Sequence, residues 1–171
     1  FIEENYMVHS AMNEGVSSMD SDTGGRVVFR HNTLTNGDIS FHGVEVSISN
    51  LWRSSHGWEI YNNTFNSTVN HIFQINIRGG TGVIYENSFT GTRTGFNPVR
   101  YLYERGDLER HCLEVDHCQG NSSYDENQPD KYGYMCYQQI GATGSNGITA
   151  MPVYQWSNSY NGVENENALT L

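Results

Sequence analysis

Positively charged residues are scarce in this chain, and proline is scarce as well. Lys131 is the single lysine among 171 residues, and 9 basic residues face 19 acidic ones, for a formal net charge of −10. Because nucleic-acid binding starts from a basic patch, this balance argues against a nucleic-acid partner. Only 3 prolines beside 18 glycines and 12% aromatic residues are typical of a turn-rich β protein.

The sequence also lacks an apolar run of about 18 residues and a charged leader followed by an apolar stretch. We therefore expect no insertion into a membrane. The chain starts in the strand-like segment "FIEENYM", without an initiator methionine, and stops on the strand-like "NALTL". Its length fits one domain over residues 1–171, which we interpret as a fragment of a longer protein with any targeting signal lost.

An internal repeat centred on asparagine organises the first half of the chain. Four segments align without gaps on the pattern apolar, any, any, Asn, Ser/Thr/Tyr, apolar, with 27, 31 and 24 residues between their asparagines. They are "IEENYM", "FRHNTL", "IYNNTF" and "IYENSF", around Asn5, Asn32, Asn63 and Asn87. A weaker copy, "QWSNSY" around Asn158, follows 71 residues later, a distance that further repeats or an inserted loop would explain.

Repeats of this length are too small to bury an apolar face alone, so they predict a solenoid whose core forms between stacked neighbours. Alternating apolar residues in "GVEVSIS" and "FQINIRG" indicate β-strands rather than helices. We expect the asparagines to stack at one turn about 4.8 Å apart, because Asn tolerates a left-handed turn and its amide both donates and accepts. Phe29, Ile60 and Ile84 would form an internal column beneath them. The alternative is that each asparagine marks a surface turn between sandwich strands.

Several longer blocks resemble a known family. They are "RVVFRHNTLTNGDISFHGVE", "WEIYNNTFNS", "IRGGTGVIYENSFTG", "DHCQGNSSYDENQPDKYGYMCYQQIG" and "MPVYQWSNSYNG". In this order they look like secreted bacterial right-handed parallel β-helix proteins, similar in architecture to pectate lyases and phage tailspikes. The resemblance implies an all-β fold, a right-handed parallel β-helix, on a secreted or cell-surface protein. It also implies a long flank of strands of the kind that binds or cuts polysaccharide.

The three cysteines are Cys112, Cys118 and Cys136, so at least one of them is unpaired within the chain. The resemblance favours a disulfide between Cys118 and Cys136 that pins a loop insertion over about residues 92–150, with Cys112 left out. Two alternatives stay open. One is a zinc site that adds His111 or His117 to the cysteines, although no C-x2-C knuckle is present. The other is three free thiols.

Residues for catalysis are harder to find than residues for binding. A pectate-lyase mechanism needs carboxylates that hold Ca²⁺ and a basic residue that removes a proton. Asp20 and Asp22 are weak Ca²⁺ candidates, and a solvated loop that they border is the favoured explanation. Stacked repeats would bring one polar group to a flank, where it could orient a sugar or serve as acid and base; a ladder of paired surface charges is the favoured alternative. This group comprises His42, Glu45, Arg53, His56 and Arg78. Glu45 lacks the second carboxylate that a glycosidase requires.

Aromatic residues recur at one place in the repeat. Tyr61, Tyr85 and Trp156 each stand two residues before a ladder asparagine, next to the inward apolar position, so we expect them to point outward. Outward rings on successive repeats suit the apolar faces of sugars, although loops that cover them are the alternative. Trp52 and Trp58 would extend either role.

These observations favour an extracellular β-helix that binds polysaccharide or a cell-surface glycan, or that builds surface structure, without catalysis by this chain alone. The alternative is a polysaccharide lyase or glycoside hydrolase of the pectate-lyase-like type. We expect no cofactor apart from the Ca²⁺ that the acidic candidates would suit. A homo-oligomer or a fibre would follow from unpaired backbone at the ends of a solenoid.

Overall fold

A computed structural model describes residues 1–10, 17–21, 25–42, 45–46, 51–52, 55–69, 73–91, 98–101, 140, 142–143, 149–150, 152–165 and 169–170. Every regular element in these ranges is a β-strand. Nowhere in this described part of the chain does a helix have the length and apolar character that a membrane crossing requires. The predicted disulfide between Cys118 and Cys136, Cys112, and most of the predicted insertion at 92–150 lie outside the described residues.

Three large sheets contain most of the strands. The first sheet has the order β1 (Ile2–Glu3), β4 (Arg26–Arg30), β9 (Gly57–Tyr61), β12 (Thr81–Tyr85), β17 (Tyr154–Trp156) and β20 (Leu169–Thr170). The second has β2 (Tyr6–Val8), β5 (Thr33–Thr35), β10 (Thr64–Asn66), β13 (Ser88–Thr90), β18 (Asn158–Tyr160) and β19 (Val163–Asn165). The third has β3 (Ser17–Ser21), β6 (Asp38–Phe41), β11 (Ile75–Ile77) and β14 (Val99–Tyr101).

Each repeat supplies its strands to the sheets in the same order. Residues 2–21, 26–41, 57–77 and 81–101 each give one strand to the first sheet, one to the second and one to the third. Neighbouring repeats pair in parallel in all three sheets. This arrangement confirms the all-β part of the fold prediction and is compatible with a parallel β-helix.

Two short antiparallel pairs lie outside the three sheets. Strands β7 (Glu45–Val46) and β8 (Leu51–Trp52) form one pair, and β15 (Ala142–Thr143) and β16 (Thr149–Ala150) form the other. The second pair lies within the sequence range of the predicted insertion. Both pairs therefore differ from the stacked repeats, which pair with one another in parallel.

The core consists of columns of like residues that run across the strands. In the first sheet Phe29, Ile60 and Ile84 are in register, and all three are fully buried. Each of the other two sheets has a column of its own: Leu34, Phe65 and Phe89 in the second sheet, and Ile39, Ile75 and Val99 in the third. Because these columns are continuous only when repeats stack, burial of apolar area stabilises the stack rather than any single repeat.

In the stack the fifth repeat lies directly beside the fourth, although 71 residues separate their asparagines in sequence. This decides between the two explanations of the long interval before Asn158. Strand β17 pairs with β12, and Gln155 lies beside Ile84. The interval therefore consists of one repeat and an insertion, not of three further repeats. Gln155 departs from the apolar pattern, and its Oε1 accepts a hydrogen bond from the Tyr101 hydroxyl at 2.9 Å. That bond satisfies a polar group within an otherwise apolar column.

Candidate functional site

The ladder asparagines bond to one another across all five repeats. The Oδ1 of Asn32 accepts both the N–H and the Nδ2–H of Asn5, each at 3.0 Å. The same pair of bonds joins Asn32 to Asn63 at 2.9 and 3.1 Å, and Asn63 to Asn87 at 3.0 and 2.9 Å. Asn87 bonds Asn158 in this way at 3.0 Å. Every donor lies in one repeat and every acceptor in the next, so the ladder has a direction.

In Asn32, Asn63 and Asn87 one Nδ2 hydrogen is used along the ladder, and two backbone carbonyls share the other. The Asn63 Nδ2 also donates to the Tyr61 carbonyl at 2.9 Å and to the Phe29 carbonyl of the preceding repeat at 2.8 Å. Asn32 and Asn87 make the equivalent pairs of bonds. Because Asn63 is only 2% exposed, these bonds satisfy groups that water does not reach. They fix the turn between the first and second sheets.

The left-handed residue of the turn is not the ladder asparagine, so our expectation on this point was wrong. The positive φ belongs to the residue before it. These residues are Glu4 (φ 59°), His31 (φ 55°), Asn62 (φ 54°), Glu86 (φ 54°) and Ser157 (φ 48°). The ladder asparagine is selected for its amide, and the left-handed position tolerates residues as different as glutamate and serine.

Replacing Glu86 by asparagine should therefore stabilise the protein. A non-glycine residue in the left-handed region costs about 1 kcal/mol, and asparagine tolerates that region better than glutamate does. Since the Glu86 side chain is exposed, we expect Glu86→Asn to raise the free energy of unfolding by about 0.5 kcal/mol in urea denaturation. The matched control is Asn62→Glu at the equivalent turn, which should lower it by a similar amount. Equal urea-denaturation midpoints for Glu86→Asn and Asn62→Glu would contradict this account.

The outward aromatic residues form a continuous stack. The rings of Tyr61 and Tyr85 lie 4.8 Å apart at 7° to each other, and those of Tyr85 and Trp156 lie 4.5 Å apart at 2°. The structure thus brings the three predicted residues together, but their faces cover one another. A bound sugar would meet ring edges, tyrosine hydroxyls and the outer face of Trp156, not a series of free ring faces.

Charged residues extend this aromatic row toward the first repeat. Arg30 is the neighbour of Tyr61 in register and donates a hydrogen bond from Nη1 to the Tyr61 hydroxyl at 2.8 Å. Glu3 in turn pairs with Arg30. The bonds to Tyr61 and Glu3 raise the pKa of the Arg30 guanidinium above its ordinary value. Sequence reasoning missed Arg30, although its place two residues before Asn32 matches that of Tyr61.

A second outward row lies beside the aromatic row. Val28, Glu59, Val83 and Tyr154 are neighbours in register on successive strands of the first sheet. Glu59 is exposed, and Tyr154 is 46% exposed. Together with Arg26, part of this row lines an open groove of about 430 Å³. We call the two outward rows and this groove the first-sheet face.

Trp58 is largely buried, although it also lines the groove of the first-sheet face, and its predicted role in ligand binding stays a prediction. It is 2% exposed, packs on Phe41 with ring centres 5.9 Å apart, and its Nε1 donates to the Gly79 carbonyl at 3.3 Å. Gly82 lies beside it in register. A Cβ on Gly82 would lie 1.8 Å from the Trp58 carbonyl oxygen, so only glycine allows this close approach. Trp52 lies on β8 in register with Glu45, in an antiparallel pair that is not part of the first sheet.

The predicted polar flank is only partly assembled. His42 lies within hydrogen-bond distance of Asp20, with 2.6 Å between Nε2 and Oδ2, so one weak Ca²⁺ candidate contacts a residue of this flank. Arg78 follows β11 as His42 follows β6, and its N–H donates to the Phe41 carbonyl at 2.8 Å. Burial, with a smaller contribution from the charge of Arg26, lowers the pKa of His56. Asp22 and Arg53 lie outside the described residues, as do the side-chain contacts of Glu45.

Within the described ranges no group of three or more His, Cys, Asp or Glu side chains could hold a metal ion. Asp20 and Glu59 are on different sheets, and neither is accompanied by a second carboxylate in the contacts given above. The arrangement offers hydrogen-bonding and apolar surface on the first-sheet face. The described carboxylates on its strands are Glu3, which pairs with Arg30, and Glu59, which lies on β9 with β4 between it and the strand of Glu3; a glycosidase needs two carboxylates that act together.

Comparison of the chain with protein-family models, with curated proteins and with solved structures found no match. The sheet arrangement is compatible with a β-helix, and the family that the sequence blocks suggest stays a prediction.

Proposed function

We propose that this chain is part of an extracellular, right-handed parallel β-helix whose first-sheet face binds a polysaccharide or cell-surface glycan without cleaving it. The single observation that carries the proposal is the pair of outward rows, which run side by side across the repeats. A glycan strand lying across the β-strands would contact equivalent positions at every repeat. The β-helix, its hand and its export are supported by the three parallel sheets and by the sequence resemblance.

The chemistry of the face suits an uncharged, hydroxyl-rich ligand. Val28 and Val83 provide apolar surface for the C–H groups of a sugar, and Glu59 provides hydrogen-bond acceptors. Burial raises the pKa of the Tyr85 hydroxyl, with smaller contributions from the neighbouring charges of Tyr61, Glu59 and Glu86. That hydroxyl is therefore neutral at physiological pH and both donates and accepts. Binding of this kind needs only shape and a few hydrogen bonds.

Cleavage makes stricter demands. A lyase needs a held cation and a base, and a glycosidase needs two carboxylates at a fixed separation. Asp20 contacts His42, and of the two described carboxylates on the strands of the first sheet, Glu3 pairs with Arg30 while Glu59 lies beside Val28 and Val83. These contacts support binding over catalysis.

Replacing Tyr154 and Glu59 by alanine should weaken glycan binding without unfolding the protein. Both side chains are exposed and neither belongs to the stacked rings, so we expect at least a tenfold rise in Kd, about 1.4 kcal/mol. Retention would be measured on pectins, alginates, xylans and bacterial exopolysaccharides, with and without Ca²⁺, together with unsaturated products and new reducing ends. Tyr6→Ala is the matched control, since Tyr6 is a 75% exposed tyrosine on the second sheet.

Three outcomes distinguish glycan binding from a lyase and from a structural role. Retention that the double variant loses and Tyr6→Ala keeps supports the proposal. A Ca²⁺-dependent rise in unsaturated products that disappears in His42→Ala or Arg78→Ala would establish the lyase alternative. Neither retention nor cleavage would leave a structural segment of a surface fibre, a role that the ring-to-ring stacking of Tyr61, Tyr85 and Trp156 also favours.

A further inference from the structure

The two ends of the stack of repeats differ in strand direction. After the last parallel strands, β19 runs antiparallel to β18 and β20 runs antiparallel to β17. The β18–β19 turn is formed by Asn161 and Gly162, both with positive φ, at 48° and 79°. Two residues with positive φ are the signature of a type I′ hairpin. The chain thus reverses direction beyond the fifth repeat, and the parallel pattern does not continue there.

The first repeat has no such reversal among its described residues. Strands β1, β2 and β3 are the outermost members of their sheets at this end. The three apolar columns finish here at Ile2, Met7 and Met19, which are only partly buried. Phe1 and Tyr6 are 84% and 75% exposed beside them. Both apolar area and backbone hydrogen-bonding groups are therefore open at this end.

The asparagine ladder shows which hydrogen-bonding groups would complete this end. Every Oδ1 from Asn32 to Asn158 accepts an N–H and an Nδ2–H from the repeat before it. No described residue donates to the Oδ1 of Asn5. The Oδ1 of each of the other ladder asparagines has two donors, the backbone N–H and the Nδ2–H of the asparagine one repeat earlier. The Asn5 Oδ1 lacks both among the described residues.

The backbone shows the same incomplete pattern. Thr33, Thr64, Ser88 and Ser159 each donate their N–H to the carbonyl of the ladder asparagine one repeat earlier, at 2.8 to 2.9 Å. Tyr6 is in register with Thr33 and stands at the same position in its repeat. Its N–H is therefore directed to the open edge, toward the place of an asparagine carbonyl.

We propose that this end accepts one further repeat of the same pattern, joined in line ahead of Phe1 and parallel to β1 and β2. The repeat must carry an asparagine that donates to Asn5 Oδ1 and accepts from the Tyr6 N–H. It must also place an apolar residue three positions earlier, over Ile2, as Phe29 and Ile60 are placed in their own repeats.

A second copy of the chain does not fit this end. If two such ends met, the Oδ1 acceptors of both Asn5 residues would face each other without a donor, which is unfavourable. The opposite end of a second copy presents the antiparallel strands β19 and β20 rather than a parallel ladder. The direction of the ladder therefore favours a repeat in line over self-association.

The experiment adds a copy of residues 26–58 ahead of Phe1 of the full chain, so that Phe1 follows the copied Trp58. This junction reproduces the register in which Ile2 matches Ile60 and Asn5 matches Asn63. Hydrogen exchange of the Tyr6 amide is the readout, because bonded amides exchange only when the structure opens. We expect exchange to slow by at least about tenfold relative to the unextended chain.

Two controls use the same added residues. In one, the copied Asn32 is alanine; in the other, the intact copy is attached after Leu171. The alanine copy keeps the backbone carbonyl that would accept the Tyr6 N–H but loses the side-chain donor to Asn5 Oδ1, so it should protect the Tyr6 amide less than the intact copy; the copy after Leu171 should not protect it. Equal exchange rates for the asparagine and alanine extensions would overturn the proposal, and so would an extension that leaves the rate unchanged. A concentration-dependent dimer of the unextended chain with a protected Tyr6 amide would also overturn it, by assigning this end to a second copy.

Discussion

Gly82→Ala should lower the free energy of unfolding by at least about 3 kcal/mol, toward the upper end of what overpacking costs. An added Cβ would lie 1.8 Å from the Trp58 carbonyl oxygen and 2.6 Å from Cε3 of its ring. A backbone oxygen in a paired strand cannot move aside as a flexible side chain would. Since Trp58 also packs on Phe41, the disturbance would spread from the first sheet into the core.

Gly57→Ala is the matched control, because Gly57 lies on the strand next to Gly82. Its added Cβ would meet only the Thr81 carbonyl oxygen, at 3.7 Å, which is an ordinary contact. We expect a change within about 0.5 kcal/mol, of either sign, since alanine also restricts the unfolded chain. Urea denaturation of both variants gives the comparison. Similar losses for the two would show that the Trp58 contact is not as close as described.

The stacked positions were predictable because in-register stacking places chemically alike residues above one another. Phe29, Ile60 and Ile84 form one such column. The same logic identified the outward position of Tyr61 and Tyr85. A column is a one-dimensional pattern, and the sequence displays it directly once the repeat is aligned.

Details that depend on contacts across repeats were not predictable in this way. Nothing in the spacing of Tyr85 and Trp156 says whether their rings stack on each other or spread apart for a ligand. Trp58 and Glu59 are consecutive, and the burial of Trp58 depends on the absence of a side chain at Gly82, one repeat away. The left-handed turn position was missed because glutamate at position 86 is not typical of it.

The sequence carries one further signal of the fold, which marks a hairpin. Asn161 and Gly162 are the dipeptide most characteristic of a two-residue hairpin, and they form the turn between β18 and β19. That signal would have placed a reversal of chain direction directly after the fifth repeat. It distinguishes the two ends of the stack, on which the proposal for an additional repeat depends.

Asn63→Ala should destabilise the protein by about 4 kcal/mol, because several buried groups lose their partners together. The Asn32 N–H would lose its acceptor at 2.9 Å, and the Phe29 carbonyl would lose its donor at 2.8 Å. Asn63 is 2% exposed, so water cannot replace these bonds without opening the turn. An unsatisfied buried group costs about 1–3 kcal/mol, and alanine would leave at least two of them.

Asn5→Ala tests the same substitution at the open end of the ladder. The Asn5 Nδ2 donates to the Glu3 carbonyl at 2.8 Å and to Asn32 Oδ1 at 3.0 Å, but the residue is exposed and its own Oδ1 accepts nothing from the described residues. Water can replace both bonds, so we expect a loss of no more than about 1 kcal/mol. If the asparagines were independent surface turns, the two variants would have equally small effects. A loss at Asn63 several times that at Asn5, in the same denaturation assay, requires a buried and directional ladder.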